Sequence, residues 1–234
     1  MVGGDAAADA VARAHRLPEL RVGLHLNLVD GHPVLPDVEI PQLVRENGEF
    51  DRNMARAGIR FFVLPRVRRQ LASEIRAQFA AFRATGLRLD HVNAHKHMHL
   101  HPCVARLIID IGHDYGMKAV RVPSEPVAVL RRAFPDERYR TPAYHPWVVA
   151  LRRRLQRAGL RANDHLFGLA WSGAMVGARI LRLIPHLPDG VSEIYFHPAA
   201  RGYRRAEELA TLLSPLLRDR IAELGIRLVS YSDL

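Results

Sequence analysis

Five histidines fall within eleven residues of one segment, HVNAHKHMHLHP at 91–102: His91, His95, His97, His99 and His101. Packing alone does not explain that density. Neutral imidazole is a common ligand for zinc and similar divalent ions. In an extended chain alternate side chains point the same way, so His91, Asn93, His95, His97, His99 and His101 would share one face. Geometry admits only one or two ligands from such a segment; the others would orient ligands or bind substrate. The competing reading is a polar loop whose histidines cap the next helix. A metal or catalytic role for at least one histidine is favoured over it.

Three further segments carry chemistry. In GLHLNLVDGHP, at 23–33, Leu24 and Leu26 would face a core and His25 the opposite side. From the residues alone, metal ligation and a structural role for His25 balance. In EIYFHPA, at 193–199, Pro198 biases His197 toward an extended backbone. A histidine held there can serve as a general acid near neutral pH, although taken alone a packed histidine before a turn is the stronger reading. Arg121, between Val120 and Val122, suits either pairing with a carboxylate or a plain surface position. Cys103 opens a helix, where thiolate is favoured, but a small buried apolar role suits it better. The chain holds no G-x-S-x-G elbow, no P-loop and no G-x-G-x-x-G.

These residues need elements to position them. Six strands are expected, at 20–27, 87–95, 117–122, near 165–170, 191–197 and 226–231. Helices alternate with them. One spans 65–85, where Val67, Leu71, Ile75, Phe79 and Phe82 recur at helical spacing between Pro65 and Gly86. Others run from Pro102 to Gly116, over 147–158, around 174–185, and over 207–224 with a break where Ser214 caps and Pro215 restarts. Segment 39–64 carries mixed signals, and 123–146 is rich in proline and reads as irregular. The crossovers are long enough for parallel pairing, so an α/β barrel or an open parallel sheet both fit. His25, His95, Arg121 and His197 then lie at or near strand carboxyl ends, where parallel α/β folds keep their chemistry.

Composition bounds the setting. The chain has 234 residues, 48% hydrophobic and 25% charged, enough for one large α/β domain or two small ones and too apolar for wholesale disorder. The longest apolar runs resemble FFVL at 61–64, far short of the roughly 20 residues of a membrane helix. No secretory signal is visible, and the single cysteine fits a reducing, cytoplasmic setting. Net charge is +10, with lysine only at Lys96 and Lys118 and arginine elsewhere. A solvated, arginine-biased surface is the favoured reading, and a face resting on anionic lipid is the functional alternative. A nucleic-acid partner is disfavoured by the lack of aromatic and basic interleaving.

Together the motifs resemble the YdjC-like carbohydrate deacetylase family, which includes chitooligosaccharide deacetylases, and within it the branch associated with hopanoid biosynthesis. The resemblance is carried by GLHLNLVDGHPVLP, LDHVNAHKHMHLHP, AVRVP, NDHLFGLAWSGAM, EIYFHPA and the closing segment with Tyr231 and Asp233, across residues 23 to 234. It implies one domain over 1–234, an incomplete (β/α) barrel of the polysaccharide-deacetylase type. It implies a divalent metal, zinc or magnesium, held by one Asp and two His. By position those histidines are His25 and His95. His197 matches a histidine that protonates the leaving group, and Arg121 an arginine near the site. His97 and His99 would bind substrate or support the ligands.

The family's first strand ends in an Asn/Thr-Ala-Asp-Asp-Phe-Gly motif that supplies the metal-binding Asp and a catalytic Asp. This chain opens with MVGGDAAADAVARAH and lacks the motif; Asp5 and Asp9 do not have its context. The expectation is a domain without its first strand and helix. Segment 20–27 would then be an open sheet edge with exposed apolar side chains nearby, and the chain would bind metal weakly and deacetylate poorly. The implied substrate is an N-acetylated amino sugar on a glycosylated hopanoid. The arginine-rich surface and the 61–64 segment would contact the inner face of the membrane. A non-catalytic metal- or lipid-binding role is the alternative.

Overall fold

A computed structural model describes residues 1–200 and 202–234. The chain forms two compact units. The first comprises Met1–Arg121, Val149–Ala162 and Ser230–Leu234, the second Val122–Val148 and Asn163–Val229.

The first unit is built on two parallel strands, β1 (Val22–Leu26) and β2 (Leu89–Ala94). Their register pairs Leu24 with Val92, His25 with Asn93 and Leu26 with Ala94. Leu24, Leu26, Val92 and Ala94 are buried, and the alternating positions carry His25 and Asn93 on the other face. The sheet continues by single bridges from Val92 to Val120 and from Ala119 to Arg161. Among the described residues β1 pairs with β2 alone. Leu17 and Leu20, ahead of β1 in the chain, are exposed, whereas Leu24 and Leu26 of the strand itself are buried.

The helices of this unit are α1 (Ala7–His15), α2 (Met54–Val63), α3 (Pro65–Ala84) and α4 (Pro102–Asp114); α3 packs against β1, and α2 and α4 pack on α3. Pro65 sits in the first turn of α3, and Val67, Leu71, Ile75, Phe79 and Phe82 are buried along one stripe. The left-handed backbone of Gly86, φ 72°, follows its end. Two polar residues of α3 face inward. Gln78 accepts from the Asn27 backbone N–H at 2.9 Å and donates to the Asn27 carbonyl at 2.6 Å. Glu74 accepts from the N–H groups of Val34 and Leu35. These bonds satisfy backbone that would otherwise be buried without partners, and they fasten the chain leaving β1 beside His25. Helix α2 formed inside the segment of mixed signals; Asn53 caps it by accepting from the Arg56 N–H.

The second unit holds β3 (His165–Phe167) and β4 (Ser192–Ile194), also parallel. Its helices include α5 (Val127–Ala133), α7 (Gly177–Leu183), α8 (Tyr203–Leu212) and α9 (Pro215–Glu223); α6 (His145–Arg157) precedes β3 in the chain. Phe134, Phe167, Trp171, Met175 and Leu183 form its core. The break between α8 and α9 falls at Ser214 and Pro215 as expected, although the Ser214 side chain makes no capping bond.

The chain is mixed α/β with small parallel sheets. Several expected elements differ. Segment 117–122 contributes single bridges instead of a strand. Segment 226–231 forms no strand: Leu228 stays 77% exposed, and the chain ends in a 3-10 turn at Tyr231–Asp233, capped by Ser230 and Asp233. β3 is short because Gly168 turns away at φ 122°. The proline-rich stretch contains α5, started after Pro126. No helix among the described residues is long and apolar enough to cross a membrane.

Candidate active site

His25 lies one residue before the end of β1, and His95 directly follows β2. Parallel pairing brings the two strand ends side by side, and the imidazole centroids are 5.8 Å apart, edge to face. Burial lowers the His25 pKa to about 4; the Asn93 bond opposes this, while the positive charges of the chain's amino terminus, His95 and Arg121 add to it. His25 is therefore neutral at pH 7.

A chain of polar contacts runs behind His25 along β2. The Asp90 carboxylate meets His91 Nδ1 at 2.9 Å, His91 Nε2 meets Asn93 Nδ2 at 3.3 Å, and Asn93 Oδ1 meets His25 Nδ1. A carboxylate only accepts, so His91 Nδ1 carries the proton and its Nε2 accepts from the Asn93 amide. The amide oxygen then accepts from His25 Nδ1–H, and the His25 Nε2 lone pair is left to face outward. Burial raises the Asp90 pKa, but bonds from His91 and Ser232 outweigh it and hold the carboxyl below its usual range. The Ser232 N–H donates to Asp90 at 3.0 Å, and Tyr231 stacks on His91 with centroids 4.5 Å apart.

The shared face expected for 91–102 ends at His95. The chain leaves β2 there and winds into a 3-10 turn, His95–Leu100, with Lys96 and His97 in left-handed backbone at φ 50° and 55°. A left-handed turn breaks the two-residue alternation, so His97, His99 and His101 take separate directions. His99 is fully buried, and its Nδ1 accepts from the Ala94 N–H at 3.1 Å. Burial, then the neighbouring charges of His97, Arg121 and His25, push its pKa well below the usual value. It pins the turn that presents His95. His97 is half-buried, its ring 5.8 Å from that of His99. His101 stands apart, edge-on to Phe61 and Phe62. The Arg121 N–H donates to the Val92 carbonyl at 3.0 Å, so Arg121 enters beside β2 with its charge acting on His25 and His99. Lys96 pairs with Asp30 at 2.7 Å.

His197 belongs to the second unit. It is exposed beyond β4, and its ring lies 5.4 Å from that of Tyr195. Its backbone N–H donates to Glu208, a fully buried carboxylate that also accepts from the Met175 N–H at 3.0 Å. In the same unit Glu125 accepts from three successive N–H groups, Gly168, Leu169 and Ala170. Burial raises the Glu125 pKa against those bonds. The structure thus brings His25, His95, His99 and Arg121 into one neighbourhood of the first unit, and it anchors His197 through Glu208 in the second. Sequence reasoning placed Asn93 on the right face but assigned it no role. It did not single out Asp90, Glu125 or Glu208, because a buried carboxylate has no local signature in the sequence.

Residues 1–223 match the model of the YdjC-like protein family. The chain belongs to the YdjC-like family. A carbohydrate deacetylase of Geobacillus stearothermophilus is 31% identical to this YdjC-like chain, covering 97% of it and 82% of the relative. One from Brevibacillus brevis is 26% identical, over 100% and 86% of the two chains. A chitooligosaccharide deacetylase of Enterobacter sp. is 30% identical over 100% of this YdjC-like chain and 86% of its own length. A solved structure from Enterococcus faecalis V583, named for cellobiose-phosphate cleavage, shares the fold with a TM-score of 0.73 at 21% identity, over 100% of this chain and 85% of that one.

The donor chemistry of this YdjC-like site suits a divalent ion in part. His25 and His95 are adjacent imidazoles, and His25 has its outward nitrogen fixed by Asn93. Among the described residues no group of three or more His, Cys, Asp or Glu side chains is arranged to hold a metal.

Proposed function

We propose that the chain is a metal-dependent N-deacetylase of amino sugars, acting on a glycosylated hopanoid lipid at the cytoplasmic face of the membrane. The observation that carries this reading is the pairing of His25 and His95 at neighbouring parallel strand ends, with His25 oriented by Asn93. The relatives named carbohydrate deacetylase and chitooligosaccharide deacetylase supply the substrate class. The reaction adds water to the acetamide carbonyl, breaks the C–N bond, and releases acetate and the free amine.

His25 and His95 would hold a zinc or magnesium ion. When bound, such an ion lowers the pKa of water and polarises a carbonyl. Asn93 keeps His25 in the tautomer whose Nε2 is an acceptor, and His99 sets the turn that carries His95. His97, whose ring neighbours that of His99, would serve as a substrate or supporting contact. Arg121, whose charge acts on His25, would offset the negative charge that develops on the carbonyl oxygen. By the family resemblance His197 is the residue that would give the departing amine its proton; within its own unit its backbone N–H donates to Glu208.

The test is acetate release from a chitooligosaccharide and from an N-acetylglucosaminyl lipid, with and without added zinc or magnesium. Metal-dependent release that is lost in His95→Ala supports the reading. Equal release by wild type and His95→Ala overturns it. The second reading, a metal- or lipid-binding protein without catalysis, is favoured by the lack of a third His, Cys, Asp or Glu at the pair among the described residues. Metal binding with no acetate release from either substrate would establish it.

A further inference from the structure

A second surface of the first unit is unlike the site. Helix α2 buries Ala57 and Phe61 and turns Ile59, Phe62 and Val63 to solvent. Their spacing of three and four places them on one side of the helix. Ile59 is 64% and Phe62 60% exposed, and Leu64, the extended residue at the elbow between α2 and α3, is exposed too. Arg68 donates to the Phe62 carbonyl and fastens the elbow. Scattered exposed apolar residues are ordinary, but four together with a polar rim mark an interaction surface.

The charges that α2 and α3 themselves contribute around this surface are of one sign. Between Asp51 and Glu74 stand six arginines, Arg52, Arg56, Arg60, Arg66, Arg68 and Arg69, and no acid. Arg52 pairs with Glu49 and Asp30, and Arg56 with Asp51. Arg66 and Arg69 are exposed on the first turns of α3, next to the apolar residues. A two-fold contact with a second copy would set this arginine rim against itself. An anionic bilayer has the matching order of layers: negative headgroups outside, acyl chains beneath.

We propose that the α2–α3 elbow is a membrane-docking surface, with Ile59, Phe62 and Val63 entering the acyl boundary of an anionic leaflet and Arg66 and Arg69 meeting its headgroups. This deepens the membrane part of the proposed function and rests on it for its setting; it is argued from surface chemistry and read by flotation, so its failure is distinct from that of the deacetylase reading, which acetate release tests.

The experiment is flotation of the full chain with vesicles of phosphatidylcholine, and of phosphatidylcholine mixed with phosphatidylglycerol. A protein of charge +10 can meet anionic vesicles through many faces, so the decisive variant keeps every charge. Phe62→Ser with Val63→Ser should weaken binding to the anionic vesicles at least about tenfold, from the apolar area no longer buried. Its melting temperature should be unchanged, since both side chains are exposed. Arg66→Gln with Arg69→Gln, which leaves the apolar tip intact, should weaken it by a comparable factor and flatten its salt dependence. Undiminished binding by the serine variant overturns the proposal. So does failure of the wild type to float with anionic vesicles at low salt, or a wild-type dimer that the serine variant dissociates.

Discussion

Asn93 Oδ1 accepts from His25 Nδ1, and this contact joins the paired strands β1 and β2 of the first unit at the level of the candidate site. Register makes it possible, because His25 and Asn93 are direct partners across β1 and β2. The amide cannot choose its orientation freely: its nitrogen is already committed to His91, which is committed to Asp90. A carboxylate three contacts away from the His25 imidazole in this chain therefore sets which nitrogen of His25 is left free of Asn93.

Replacing Asn93 tests that relationship. Asn93→Leu keeps the volume and removes the acceptor. Zinc affinity, read by competition with a chromophoric chelator, should fall about 10- to 100-fold, as loss of an orienting partner typically costs. Affinity equal to wild type would show that His25 needs no support from Asn93.

Gly23 faces His91 across the same pair of strands. A Cβ on Gly23 would lie 2.6 Å from the His91 ring. Gly23→Ala should therefore displace His91 and cost about 1–3 kcal/mol, the usual range for overpacking. In His91→Ala the obstacle is gone, so adding Gly23→Ala to that variant should cost much less. Additive losses in urea unfolding would show that the two residues do not meet.

Gln78 joins α3 to the backbone of Asn27 by two buried hydrogen bonds. Gln78→Leu leaves an N–H and a C=O without those partners, and about 1–3 kcal/mol is the expected loss for a buried polar group so stranded. The urea midpoint should drop accordingly. A midpoint within error of wild type would mean that solvent reaches Asn27.

Acid stability should depend on Asp51. A hydrogen bond from Arg56 lowers its carboxyl below the ordinary value of 3.8, and the Asn53 N–H helps, against the effect of burial. A depressed folded pKa contributes stability that is full above the unfolded value and is lost as pH falls through the folded one. Wild type should therefore lose stability as pH drops below about 4, and Asp51→Asn should show a shallower loss over the same window. Parallel acid limbs for the two proteins, followed by the urea midpoint, would exclude Asp51 as a contributor.

The sequence by itself determined the features that are local or periodic. The stripe from Val67 to Phe82 makes α3 whatever else the chain does, since helical spacing and Pro65 suffice. The break at Pro215 follows from a ring that cannot donate. The alternation around His25 and Asn93 already placed both opposite the core, and the family motifs singled out His25, His95, Arg121 and His197. Tertiary structure decided what depends on partners distant in sequence. Whether 226–231 became a strand depended on partners elsewhere in the chain, and its last residues instead closed a 3-10 turn whose Ser232 N–H donates to Asp90. The histidines beyond His95 left the shared face because the chain turns left-handed at Lys96 and His97, a backbone choice with no glycine to announce it. Which nitrogen His25 presents is set by Asn93, 68 positions away, and ultimately by Asp90. Tautomer, burial and charge are properties of the neighbours a side chain acquires, and only folding supplies those neighbours.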